Sequence, residues 1–238
     1  MKKGPIKYLV TITYYLLFSF VTGSLLFTYS LADSKRPCRL PINQPEQITS
    51  EADPVLYAAI SQNGKHMVYV SGREDFADLW LCSADPSHVE LPEKLTSDPS
   101  EESWPAFSPD NRFIAYVGTS YDVKGDIFIL NLKNKKAKPV RLTGRETEDG
   151  APCFSHDGKT LYFHQAKLGD THRQIVSLDL KKNAGNDLKP LTTVIEKNGA
   201  FPSISPSGTR IAFISFRHDP SGNIFVSDLQ TNHTIQAT

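Results

Sequence analysis

Seven histidines, three cysteines and a balanced set of charges are the raw material for chemistry in this chain of 238 residues. The histidines are His66, His88, His156, His164, His172, His218 and His233, and no two of them stand at the spacing of zinc ligands. Gly158-Lys159-Thr160 has the form of the end of a phosphate-binding loop, yet Cys153 stands where the first glycine of that loop belongs. Neither Gly-x-Ser-x-Gly nor His-Glu-x-x-His occurs. The expectation is therefore no catalytic residue, no metal ligand and no cofactor. Twenty-six Lys and Arg balance 26 Asp and Glu, so no basic field points to nucleic acid.

The chemistry that remains is recognition by charged loops. Acidic residues gather in one set of loops: Glu51, Asp53, Asp98, Glu101, Glu102, Glu146, Glu148, Asp149 and Glu196, with Arg145 and Lys197 opposing them. Glu51, Glu102 and Asp149 each stand three residues before a proline, and Gly199 is the exception at the fourth such proline. A second set of loops carries Arg73, Lys124, Lys167, Arg173, Arg217 and His218, and a third carries Lys133, Lys135, Lys136, Lys138, Lys181 and Lys182. If the first two sets share a rim, Glu51, Glu102, Asp149, Arg73, Arg173 and Arg217 would form a partly acidic, Arg-studded face for a basic peptide or protein segment. The alternative is a set of solvated loops.

A repeat positions those loops. Ser61, Ser108, Ser155 and Ser205 stand 47, 47 and 50 residues apart, each followed by a polar tight turn. Gly64, Asp157-Gly158 and Gly208 supply residues suited to φ > 0, and Asp110-Asn111 takes that place without glycine. Apolar runs follow at Met67–Val70, Ile114–Val117, Leu161–Phe163 and Ile211–Ile214, with an aromatic residue eight positions after each serine. Such short runs bounded by turns are strands buried on both faces. A third strand holds Leu79-Trp80, Ile127-Phe128, Ile175-Val176 or Ile224-Phe225, preceded by Asp78, Asp126, Gln174 and Asn223. Leu95-Thr96, Leu142-Thr143, Leu191-Thr192 and Ala237-Thr238 close the units. The pattern predicts an all-β chain: a β-propeller of four antiparallel four-stranded blades at about 50–96, 97–143, 144–192 and 193–238.

Pro105-x-Phe107-Ser108-Pro109-Asp110-Asn111-x-x-Ile114-Ala115-Tyr116, Asp126-Ile127-Phe128 and Leu142-Thr143 resemble the WD40-like repeats of TolB-type β-propellers. The resemblance runs from about Gln47 to Thr238. TolB-type propellers usually have six or more blades, and true TolB proteins carry an additional N-terminal domain. Neither is read here, so the four repeats are expected as a small ring, an open arc or a partial propeller that self-association could complete. The resemblance implies a non-catalytic scaffold at the cell envelope that binds a protein or peptide, with an envelope lipoprotein as the partner. Such blades also serve peptidases and lyases. A propeller enzyme acting on carbohydrate or peptide, or its remnant, therefore stays open, as does a truncated propeller without independent activity. Clustering of His164, His172 or His218 around a central channel would favour the enzyme.

Residues 1–32 are expected to be a targeting segment. Lys2, Lys3 and Lys7 precede the apolar stretch Tyr8–Leu31, and Ser30-Leu31-Ala32 offers a cleavage site before Asp33. Left uncleaved, the segment is long enough to anchor the chain in a membrane, and either way the repeats are exported to the periplasm or envelope. Residues 33–49 read as a polar arm ending in a spare outer strand, Pro45–Thr49, expected to pair with the fourth repeat or a neighbouring molecule. Cys82 and Cys153 fall in strands and are expected to be buried, whereas Cys38 lies on the arm as a candidate for intermolecular pairing.

Overall fold

The computed structural model describes residues 49, 54–73, 76–85, 91–121, 123–134, 137–144, 147–167, 169–170, 172–181 and 192–238, with the side chains of residues 73, 76 and 192 excepted. The arm around Ile48, the leader, Cys38, Glu51 and the side chain of Arg73 lie outside this description. Among the described residues there is no helix. The strands form four sheets, each a meander of four consecutive antiparallel strands. The first holds β1 (Val55–Ile60), β2 (His66–Arg73), β3 (Phe76–Ser83) and β4 (Glu93–Lys94). In the second are β5 (Glu102–Phe107), β6 (Phe113–Gly118), β7 (Asp126–Asn131) and β8 (Val140–Arg141). The third contains β9 (Thr147–Phe154), β10 (Thr160–Lys167), β11 (Gln174–Asp179) and β12 (Thr192–Glu196). The fourth comprises β13 (Gly199–Ile204), β14 (Arg210–Ser215), β15 (Asn223–Asp228) and β16 (Thr234–Gln236).

Each sheet is one blade, and no strand is exchanged between blades among the described residues. The fourth blade supplies its own outer strand, β16. The first strand of each blade lies against the preceding blade: β5 on β1, β2 and β3, β9 on β5, β6 and β7, and β13 on β9, β10 and β11. Of the alternatives open in the sequence, this is the partial, open propeller of four blades.

The repeated serine explains why every blade turns at the same place. Its hydroxyl accepts the N–H five residues on, at 2.9 Å for His66 and Phe113, 3.0 Å for Thr160 and 3.1 Å for Arg210. In three blades the hydroxyl donates to the Asx side chain two residues on: Asn63 at 2.8 Å, Asp110 at 2.6 Å and Asp157 at 2.7 Å. That serine hydrogen bond, with the Lys159 N–H, holds the Asp157 carboxyl down at about 2. The next residue closes the turn in the left-handed region: Gly64, Asn111, Gly158 and Gly208 have φ of 69°, 57°, 68° and 72°. Asn111 adopts it without being glycine, as its turn requires.

The second and third strands supply the core, which lies in clusters between adjacent blades. Ile114, Ile127, Leu161, Phe163 and Ile211 are fully buried, with Tyr116 and Phe213 nearly so. Cys82 is buried on β3. Cys153 on β9 is half-buried, and burial pushes its thiol up to about 12, which disfavours the thiolate.

Candidate functional site

Three features lie between the blades: a set of buried carboxylates, a line of aromatic rings, and an open depression on one rim. The carboxylates correct an expectation, since Glu102 and Asp149 are both buried. Glu102, the first residue of β5, is 2% exposed and reaches back into the first blade. It accepts the Leu79 N–H at 2.9 Å and a short hydrogen bond from the Thr96 hydroxyl, which itself accepts the same N–H at 2.9 Å. Asp149 repeats this one junction later, with hydrogen bonds from Thr143 and Gln165, while Thr143 takes the Ile127 N–H at 2.8 Å. The closing Leu-Thr signature thus ties down the start of the third strand, as Thr238 also does for Ile224 at 2.9 Å.

Glu102 and Asp149 are therefore clasps between blades and do not lie on an accessible rim. Burial pushes the Glu102 carboxyl up to about 7 against its two hydrogen bonds, with Asp78 and Asp98 adding to the rise. Asp149 is raised by burial too, and Thr143, Gln165, Thr147 and Arg141 oppose that rise. Beside each clasp is an ion pair within the earlier blade: Lys94 to Asp78 at 2.7 Å, and Arg141 to Asp126 at 2.6 Å. The register also moves the first acid of the series. Val55 pairs with Ser71 where Glu102 pairs with Gly118 and Asp149 with Gln165. The counterpart of Glu102 in the first blade is thus Val55.

At the third junction Gly199 occupies the clasp position, paired with Ser215. A Cβ there would come within 2.9 Å of the Glu196 Cγ and 3.1 Å of the Ile175 Cδ1. The space is already filled by Glu196 from the end of β12. Glu196 accepts two bonds from Arg217, at 2.7 and 2.6 Å, so the carboxylate has been relocated and given a cation. Arg173 makes a parallel bond to Glu148 at 2.8 Å. Of the six candidate rim residues, Arg173 and Arg217 are thus engaged by acids, and Glu102 and Asp149 lie inside.

The aromatic line has no counterpart in the sequence reading. Four non-glycine residues at one repeat position, four before the serine, sit in the left-handed region: Tyr57, Trp104, Ala151 and Phe201, with φ of 48°, 53°, 48° and 56°. The pairing slips at each of them, between Leu56 and Ala59 in β1, Ser103 and Ala106 in β5, Tyr162 and His164 opposite β9, and Ala200 and Ser203 in β13. Each is a β-bulge, which redirects a side chain. The Trp104 ring lies between Tyr57 at 4.6 Å and Phe201 at 5.3 Å, and Ala151 leaves space in the intervening blade. All three rings are half-buried.

His164 supports this line from below. It is buried, its ring meets Phe201 edge-on at 5.0 Å, and its Nδ1 accepts the Phe201 N–H at 3.4 Å. Burial, helped by Arg173, lowers it to about 3, so it is neutral. His172 is exposed and bound to Asp170, and the exposed His218 meets Phe225. The three histidines therefore make separate contacts. Among the described residues no three His, Cys, Asp or Glu side chains converge as a metal site would need.

The depression, about 270 Å³, opens where the third and fourth blades meet, between the β10–β11 loop and the β12–β13 turn. Its lining side chains all carry polar or charged groups, Lys167, Arg173 and Lys197 among them.

Consecutive four-stranded meanders, each laid on the one before, define this chain as a β-propeller repeat protein. Residues 42–238 match the family described as the TolB beta propeller domain, and the chain belongs to that family. TolB from Acinetobacter baumannii superposes with a TM-score of 0.64 at 22% identity, over 82% of this chain and 46% of that one. A putative TolB from Agrobacterium tumefaciens gives 0.67 at 20% identity, over 82% and 70%. A puromycin-hydrolyzing peptidase from Mycobacterium tuberculosis gives 0.63 at 15% identity, over 81% and 30%. The chain spans less than half the length of the A. baumannii protein. At these identities the likeness is one of fold. No curated protein matches the sequence.

Proposed function

We propose that this protein is an exported, non-catalytic propeller scaffold that binds a protein or peptide segment at the cell envelope. The observation that carries the reading is the aromatic line Tyr57–Trp104–Phe201. Left-handed backbone at a residue other than glycine costs about 1–3 kcal/mol, and here it recurs in every blade. In three of them it presents a half-exposed ring beside the rings of other blades. Large aromatic side chains held rigidly are the usual anchors of peptide recognition. The basic start of the chain, the apolar stretch to Leu31 and the small residues at Ser30 and Ala32 support export.

Peptides selected by display on the full-length chain test the reading. They should shift Trp104 fluorescence on binding and lose about tenfold or more in affinity to Tyr57→Ala and to Trp104→Leu, the range for an aromatic anchor. If no peptide is selected above background, or the selected ones are insensitive to both substitutions in folded protein, the reading fails. Export is checked by fractionation with N-terminal sequencing, which should find Asp33 at the start of the exported chain.

A further inference from the structure

The geometry points to the depression between the third and fourth blades as a site for a peptide carboxylate. This rests on the peptide-binding reading above and names the chemistry of one contact on the same protein. Every lining side chain carries a polar or charged group. The lining offers the amides of Gln165, Gln174 and Asn198, the ammonium groups of Lys167 and Lys197, and the guanidinium of Arg173. The single carboxylate there, Asp170, is already occupied. It accepts the His172 N–H at 2.9 Å and lies 3.1 Å from His172 Nδ1, and these contacts hold it below its ordinary range.

The frame is fixed before any ligand arrives. The Arg173 carbonyl accepts the N–H groups of Asn198 at 3.0 Å and Gly199 at 2.9 Å, which locks the β12–β13 turn onto the start of β11. Phe216 N–H donates to the Asn198 carbonyl at 3.0 Å, which ties in the fourth blade. Gln165 Nε2 donates to Asp149 at 2.9 Å, and Glu148 holds the Arg173 fork at 2.8 Å. Lys167 and Lys197 are exposed and both line the depression. A positioned guanidinium and two ammonium groups beside polar amides match a carboxylate, by charge-assisted hydrogen bonds. A depression of about 270 Å³ lies just below the range of drug-sized pockets, so it suits one or two acidic residues and not a folded domain.

The test is calorimetric titration of the full-length chain with the dipeptide acetyl-Asp-Glu-amide, and with its neutral counterpart acetyl-Asn-Gln-amide. Acetyl-Gly-Gly, which has a free terminal carboxylate, and inorganic phosphate are further arms. The acidic dipeptide should bind, with affinity falling as salt rises, and the neutral one should bind at least about fivefold more weakly. Lys167→Glu and Lys197→Glu should each weaken the acidic dipeptide by roughly fivefold or more. Lys181→Glu, an exposed charge beyond the other end of β11, should leave it unchanged. Binding of acetyl-Gly-Gly as tight as that of the acidic dipeptide would support the site and assign it to a chain terminus. Equal binding of the neutral peptide, equal loss with Lys181→Glu, or binding of phosphate alone would overturn the assignment. Trp104→Leu should not alter these titrations, so a failure of the aromatic anchor and a failure of this site are read separately.

Discussion

Replacing Glu102 by Gln should make the protein more stable at pH 8 and leave it nearly unchanged at pH 4. The carboxyl is buried at the first blade junction, where Asp78 and Asp98 also disfavour its charge, so it releases its proton at about 7 in place of 4.5. At about 1.4 kcal/mol per pKa unit, ionising it in the folded chain is about 3 kcal/mol harder than in the unfolded chain. For an acid with a raised folded value, the unfolded state gives up its proton first. Stability therefore falls as pH rises through the window from 4.5 to about 7, and stays lower above it. Gln keeps an oxygen to accept the Leu79 N–H and the Thr96 hydroxyl, and it carries no charge. Thermal unfolding of wild type and Glu102→Gln, followed by circular dichroism at half-unit steps from pH 4 to 8, isolates this group from the other carboxylates. The variant's advantage should grow across the window to several degrees, at about 2–4 °C per kcal/mol for a chain of this size. A difference that does not vary with pH, or a variant that is less stable at pH 8, would refute the clasp as described.

Phe163→Ala should cost about 3–5 kcal/mol in urea unfolding, since the ring is fully buried between the second and third blades; a loss below about 1 kcal/mol would place the ring elsewhere. Asn111→Gly should shift the thermal midpoint upward slightly or not at all. Its φ of 57° suits glycine and its Oδ1 has no hydrogen-bond partner among the described residues, so a clear drop would reveal a role for the amide. Gly150→Ala should destabilise by about 1–3 kcal/mol, because the new Cβ would stand 2.3 Å from the Nε2 of buried His164. Adding His164→Ala should recover part of that loss in the same assay, and no recovery would show that the clash lies with other atoms.

The blades were legible because each carries its own punctuation. The serine, the left-handed turn residue and the aromatic residue eight positions after the serine are local demands, and they recur at fixed offsets. The junctions were less legible. Glu102 and Asp149 sit beside loop residues in sequence, and acidic residues at the edge of a polar stretch read as solvated. What distinguishes them is Thr96 or Thr143 of the preceding Leu-Thr, a pairing that becomes visible only once the blades are stacked. The first proline misled as well. Pro54 has the look of the repeat proline, but the register puts Ala58 there, and with it Val55 at the clasp. The bulges gave no signal at all, because Tyr, Trp, Ala and Phe are residue types that ordinarily avoid φ > 0. Only the common spacing of Tyr57, Trp104, Ala151 and Phe201 could have raised the question.

The third junction shows how the same carboxylate can be spent differently. In the first two junctions the acid comes from the inner strand of the later blade and meets a threonine hydroxyl, which leaves it buried and reluctant to ionise. At the third, glycine at that strand position makes room for Glu196, which arrives from the end of β12 and meets the Arg217 guanidinium. A charged pair of this kind sits nearer the rim, with Arg217 half-exposed. Arg173 and Glu148 form a second such pair beside it. Moving the acids of this junction into ion pairs at its margin leaves Lys167 and Lys197 facing the space between the loops, with Asp170 there already engaged by His172. The basic depression is thus a consequence of how the last two blades are joined. Its location follows from Gly199 as much as from the lysines that line it.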